Sequence, residues 1–388
     1  MLRTPAVAWL LGTSLIARLP VAMVNLAIIL RIARATGSYA RAGLVTAAYV
    51  IGTGLVMPFV GRLADRAGRR PVLLIAGVLN AVGLVVLAFV PVGDTAALLI
   101  VAAAAGASVP PVAPAVRSLW RHLAPPNLLS GLFAMDATLQ EVAFMIGPSL
   151  VAVAAAIAEP AAALVACGVI GFIGTLAVVA HPAIAREAGE RAGRRQRVDL
   201  PGLVTLVALI LLFLTGIVIV EVAVVAFAGH HHASNQSGLL LTVWSAGSLA
   251  GGLLFGARMA HSGATVLAPL LAASALGFAL LSLAPGVAVL YGLIFVAGIA
   301  IAPGFSCIYG LVGELAPHGS SVEAFSWIAS GIQIGAAIGA AAGGQLVQSF
   351  GSRVAGLAAA GCARGTAGTA LLFARHLPRR PVPVPAYE

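Results

Sequence analysis

Lysine is absent from this chain: all 22 basic residues among its 388 are arginine. Charge of either sign is scarce, at 9% of residues against 61% hydrophobic, and the mean hydropathy is +1.06. A water-soluble domain has to cover its core with polar side chains, and this composition has too few of them. Aromatic residues reach only 6%, which speaks against the aromatic girdles of a membrane barrel and leaves a helical bundle. The three cysteines, Cys167, Cys307 and Cys362, all fall inside apolar runs, so neither a disulfide framework nor a zinc site is expected. Paired histidine ligands, an Asp-rich phosphate–metal motif and a Gly-Lys phosphate loop are all missing, which argues against an enzyme, a metal centre, a cofactor or a nucleotide-driven pump. The formal charge of +10 forms no basic stripe on a soluble surface, so a nucleic-acid partner is not expected. The N-terminus lacks the ordered charged, apolar and small-residue regions of a signal peptide and reads as a retained span.

What is there is a series of apolar runs, each long enough to cross a bilayer at about 20 residues. Breaks at Gly, Pro and charge clusters delimit twelve spans, near 6–30, 42–60, 72–92, 96–119, 130–154, 161–181, 202–227, 238–257, 264–284, 287–312, 323–348 and 353–373. The longest polar stretch, "REAGERAGRRQRVD" at 186–199, divides them six and six. The expected organisation is a six-helix bundle over 1–185, a linker over 186–200, a second bundle over 201–374 and a tail over 375–388. The halves repeat: at an offset of 192, Pro111 falls on Pro303, Leu119 on Leu311, Leu123-Ala124-Pro125 on Leu315-Ala316-Pro317, Phe133 on Phe325 and Gly147 on Gly339. A parallel duplication of this kind places a binding site near the midplane where the repeats meet. With both termini inside, fifteen arginines fall on the cytoplasmic side and four outside, which fixes the orientation. Three of those four, Arg31, Arg34 and Arg41, crowd the first external loop against the trend. The all-arginine usage, with 45 Gly and 22 Pro, is that of a genome rich in G and C and points to a bacterial inner membrane.

The loop between spans 2 and 3 reads "GRLADRAGRRP" (61–71), five charges in eleven residues. Gly61, Asp65, Arg66, Gly68, Arg69 and Arg70 match the signature loop of the major facilitator superfamily, and with twelve spans and a six-plus-six repeat the resemblance covers nearly the whole chain. It implies an all-α membrane protein of two pseudo-symmetric six-helix bundles, working as a monomer on a small-molecule substrate without a cofactor. Span 5, "AFMIGPSLVA", resembles the pattern of proton-coupled drug exporters at Ala143, Gly147 and Pro148 and departs from it at Val151 and Ala152. Ala102 stands where those exporters carry a span-4 arginine.

The physics of the loop runs parallel to the resemblance. Asp65 can accept N–H groups at the start of a partner helix or pair with Arg69, making a latch between halves; the plain alternative is a positive-inside anchor with a tight turn. The second-half counterpart, 256–263, has Ala260 in place of the aspartate, so the latch is one-sided. Charges inside spans cost ~2.5–3.5 kcal/mol each and need a partner or a wet cavity. Arg18 and Glu141 both lie at mid-span and are expected to pair facing the cavity, either as the proton-coupling site, with Glu141 the carrier, or as a purely structural buried pair; Gln333 is the uncharged counterpart of Glu141. Asp136 and Arg117 share a depth and are expected to pair, either as a structural pair or as part of the proton coupling. Glu221, nearer the outer surface, is either a second proton site or a rim residue, and Arg364 a lipid-side or packed charge. Asn25, Gln140, Trp244, Tyr309, Trp327 and Gln333 are candidate substrate contacts. Gly331, Gly335, Gly339 and Gly343 line one face of span 11 and are expected to pack a neighbouring helix closely. The His230–His232 run lacks metal-ligand spacing and reads as an external loop. The functional expectation is proton-driven export by alternating access, with uptake or a non-transporting receptor or scaffold as the other readings.

Overall fold

In hydrocarbon the backbone must satisfy its own hydrogen bonds, and an apolar run does so by coiling. The computed structural model describes residues 5–124, 126–157, 159–186, 200–233, 236–256, 263–316 and 320–372, and among them the regular elements are fourteen α-helices with no strand. These are α1 (Pro5–Thr36), α2 (Tyr39–Ala67), α3 (Arg69–Phe89), α4 (Thr95–Ala107), α5 (Val112–Leu123), α6 (Pro126–Ile157), α7 (Pro160–Val179), α8 (Pro182–Arg186), α9 (Leu200–His230), α10 (Ser237–Gly256), α11 (Gly263–Leu281), α12 (Val287–Gly298), α13 (Ile301–Leu315) and α14 (Ser321–Leu372). Among the described residues ten stretches are long and apolar enough to cross a membrane, and Val266–Leu281 is a shorter apolar helix. Gly351, at φ 83° and ψ 170°, breaks α14 into two crossings, which brings the spans to twelve.

Local chemistry sets the ends. Ser38 caps α2 by accepting the N–H of Arg41, and Asp94 caps α4 by accepting that of Ala97. Span 4 is not one helix: Pro110 and Pro111, which cannot donate, separate α4 from α5. Its repeat, span 10, breaks likewise between α12 and α13, just before Pro303. The hydropathy pattern had joined each pair into a single span. It also ended span 2 at 60, whereas α2 runs on through Asp65 to Ala67 and stops at Gly68, whose φ of 105° suits glycine alone. The linker from 187, the tail and most of the 256–263 counterpart, Ala260 included, lie outside the described residues.

The chain forms two compact units, one from 1–119, 142–197 and 317–333, the other from 120–141, 198–316 and 334–388. In the first, α1 packs on α7, α2 on α4 and α3 on α7; in the second, α10 packs on α12 and α13, and α11 on α12. The duplication is visible in these contacts. A Cβ on Gly106 would strike the Tyr49 carbonyl, and one on Gly298 the Trp244 carbonyl; Gly52 meets Ala103 as Gly247 meets Phe295. Gly147 lies on Ala22 of α1, and its repeat Gly339 on Thr215 of α9. Gly335, Gly339 and Gly343 face Leu211, Thr215 and Ile219 in turn, four residues apart on both helices, and the Thr215 hydroxyl donates to the Gly335 carbonyl at 3.2 Å. Backbone approach of this kind is what small residues permit in a membrane, where packing rather than water drives association. Gly331 is buried and Pro148 exposed.

The arginines crowded near the start of α2 have a structural role. Arg31 donates to the carbonyls of Ala88 and Val90 at 2.8 and 2.7 Å, and Arg41 to that of Val92 at 3.1 Å, all at or just beyond the C-terminal end of α3. Arg34 donates to Ala155, in the last turn of α6, at 3.3 Å. Terminal carbonyls have no partner within their own helix and carry the negative end of its dipole, so cations settle there.

Candidate functional site

Two groups of residues carry the chemistry. The first is built where α2 ends. Asp65 lies in its last turn, 4% exposed, and its Oδ2 accepts the N–H of Glu323 at 2.8 Å, in the first turn of α14. An N-terminal N–H has no partner in its own helix, and the dipole there favours an anion. Arg69, one turn further on, points Nη2 at the other carboxylate oxygen at 3.9 Å, with both side chains buried. Arg62 clasps Glu323 from outside, its Nε and Nη2 donating to Oε1 at 2.8 and 2.6 Å. Gly61 leaves room for the approach: a Cβ would run into the Ser326 hydroxyl and lie 3.0 Å from the Val322 carbonyl. Arg66 and Arg70 point outward, exposed. Sequence reasoning missed Arg62, Glu323 and Ser326. The signal was the acid in the first turn of span 11, facing a loop rich in arginine.

The second group lies inside the membrane helices. Glu141, half-buried on α6, faces the hydroxyls of Ser245 and Ser248 on α10, and the Ser248 hydroxyl is itself fully buried. Glu221 of α9 lies within reach of the Glu141 charge, which acts on it across the intervening space. The structure thus sets the two carboxyls that the sequence offered as rival proton sites within electrostatic reach, and adds two serines that the sequence did not single out. A small hydroxyl in an apolar helix is too common to be a signal by itself. Arg18, Arg117 and Asp136 are buried at 2%, 3% and 0% exposure, and each is engaged by neighbours.

The candidate substrate contacts scatter. Trp244 is buried against Phe278 and Tyr309 against Phe305, ring centroids 5.8 and 5.9 Å apart. Gln140 and Gln333 are half-buried, while Asn25 and Trp327 are exposed. Arg364 is exposed on the second half of α14. The His231 ring packs on Phe227, and no cluster of three metal-ligating side chains occurs among the described residues.

A buried carboxylate at a helix start and acids held within apolar helices are the furniture of a membrane transporter. The family model of the Major Facilitator Superfamily matches residues 10–232 and 204–386, and the chain belongs to that superfamily. Solved structures share the fold. A bacterial homologue of the iron transporter ferroportin, in an outward-facing state, aligns with a TM-score of 0.77 at 15% identity, over 95% of this chain and 99% of its own. The human organic anion transporter TETRAN aligns at 0.75 and 17%, over 94% and 98%. The E. coli fucose:proton symporter aligns at 0.73 and 14%, over 95% and 98%. No curated protein matches by sequence. The protein is a multi-pass secondary transporter of a small molecule, and not an enzyme.

Proposed function

We propose that the chain exports a small organic molecule in exchange for protons, by alternating access between inward- and outward-facing states, as a monomer in a bacterial inner membrane with both termini cytoplasmic. One observation carries the coupling: Glu141, a carboxyl set within a membrane helix, faces two serine hydroxyls, and its charge reaches Glu221. A hydroxyl donates to a carboxylate and accepts from a carboxylic acid, so this setting accommodates Glu141 with or without its proton. A carboxyl that changes access while doing so moves protons across the barrier. Depth along the spans matches Arg18 to Glu141 and Arg117 to Asp136, and the proposal keeps both pairings as charges that compete with the proton. In it Asp65 is the latch, its contact with the start of α14 holding the cytoplasmic side shut in the outward-facing state. The functional division remains that of the repeat, 1–185 and 201–374.

The test is solute flux in reconstituted vesicles under an imposed pH gradient of either sign, over a panel of dyes, sugars and organic ions. Export predicts uphill movement only when protons run the opposite way. E141Q should abolish uphill movement while leaving exchange without a gradient intact. E221Q is the control: uphill transport lost there and kept in E141Q would move the proton to Glu221. If both variants transport uphill, coupling through these acids is refuted. Uphill movement with protons running the same way would make the protein an importer.

A further inference from the structure

We propose that Arg121 is a second fastener on the side where Asp65 acts, clamping the end of α13 and so setting the balance between inward- and outward-facing states. The inference rests on alternating access, but not on proton coupling or on the direction of transport.

Arg121 lies in the last turn of α5, half-buried, and its Nη1 donates to the carbonyl of Gly313 in the last turn of α13. Carbonyls in that turn have no partner in their own helix, and a guanidinium matches both their geometry and the dipole behind them. The neighbouring Glu314 adds opposite charge: it and Arg121 act on each other, and its Oε2 is buried without a hydrogen bond. The Arg121 side chain and the Phe133 ring both lie in van der Waals range of Gly313, 3.4 Å from where a Cβ would stand.

The repeat gives this contact its meaning. Arg121 and Gly313 are 192 residues apart, which is the repeat offset, so each is the other's counterpart. A residue that meets its own counterpart lies on the axis relating the two repeats. Separating the halves there breaks the contact outright instead of sliding it. The aspartate of the first half has no charged counterpart: with Gly61 and Gly68 set on Gly256 and Gly263, its position falls on Ala260. A single Asp65 contact would leave closure to one edge; Arg121 adds a fastening on the axis.

The experiment measures distances between spin labels on the cytoplasmic ends of the full-length protein in lipid nanodiscs. R121Q should raise the ratio of inward- to outward-facing molecules about tenfold, the loss expected of one charge-assisted hydrogen bond. R121K keeps the charge without the planar fork and should shift it about two- to threefold. In the R121Q/D65N double variant the two shifts should multiply, because the contacts share no atoms. An unchanged distribution in R121Q overturns the proposal, as does a lowered unfolding temperature with the distances unmoved. Where D65N alone does shift the distribution, a double variant no further shifted than R121Q alone overturns the claim of a second fastener. If D65N moves nothing while R121Q does, the latch reading of Asp65 fails and that of Arg121 stands. Should R121Q not fold, R121K and E314Q decide by the same distances, and no shift in either refutes it.

Discussion

Asp65 and Arg62 both reach Glu323, yet they should differ sharply in weight. The Asp65 carboxylate is buried and accepts from a helix N-terminal N–H, whereas the Arg62 side chain is 45% exposed. A hydrogen bond to a buried charge contributes about 1.5–3 kcal/mol, and an exposed ion pair about 0–1 kcal/mol. D65N should therefore shift the population towards inward-facing states by about tenfold or more and stop transport while expression holds. R62Q should change transport less than about threefold. Fluorescence or spin-label distances across the cytoplasmic ends check both; equal effects would show that solvent exposure is the wrong guide here. The carboxylate of Asp65 meets a helix start and also faces Arg69, which the sequence could offer only as alternatives. Its partner Glu323 stands 258 residues away, and no local pattern announces a contact of that length.

At the scale of the helix, the glycine contacts make the clearest prediction. Gly106 and Gly298 each sit on a carbonyl of a neighbouring helix, while Gly12 has open space around it. G106V and G298V should each lower stability by about 1–3 kcal/mol through overpacking, and by similar amounts because the two sites are repeats. G12A should be neutral or slightly stabilising, as alanine is the better helix former. Thermal unfolding of the purified protein in detergent measures all three, and tolerance of G106V would mean that α2 and α4 can part freely. The repeat was legible because Pro, Leu-Ala-Pro and spaced glycines keep their order at a fixed offset. The breaks within spans 4 and 10 were not, since hydropathy counts apolar side chains and is blind to a missing N–H. Pro111 and Pro303 are plain in the sequence, but a proline inside a membrane helix often costs only a kink, and Pro20, Pro58 and Pro148 lie within unbroken helices here.

For the whole molecule, the fold was readable because a bilayer leaves the chain almost no choice. Runs of about 20 apolar residues must be helices. Which buried charges meet was far less readable, since depth along a span says how high a residue sits but not which way it faces. Residue count puts Glu141 and Glu221 at different depths, yet the Glu141 charge reaches Glu221 in the structure. Orientation remains a prediction of charge counting. In a background without Cys167, Cys307 and Cys362, a cysteine introduced at His231 should react with an impermeant maleimide from outside the cell. One at Arg66 or within 187–199 should react only after permeabilisation. Labelling of Arg66→Cys in intact cells would reverse the topology.

The arginines at the ends of α3 and α6 bear on how the chain enters the membrane at all. On the proposed orientation Arg31, Arg34 and Arg41 must cross the bilayer during synthesis. The carbonyls that later hold Arg31 and Arg41 lie at and just beyond the end of α3, which the ribosome has not yet made when α1 emerges. For that interval the first hairpin carries its charge the wrong way round. Its insertion has to wait on α3, so that α1 to α3 are committed to the membrane as a trio. Replacing the three arginines with glutamine should speed insertion of a truncated first hairpin in a translation assay and weaken the finished bundle, trading biogenesis against durability.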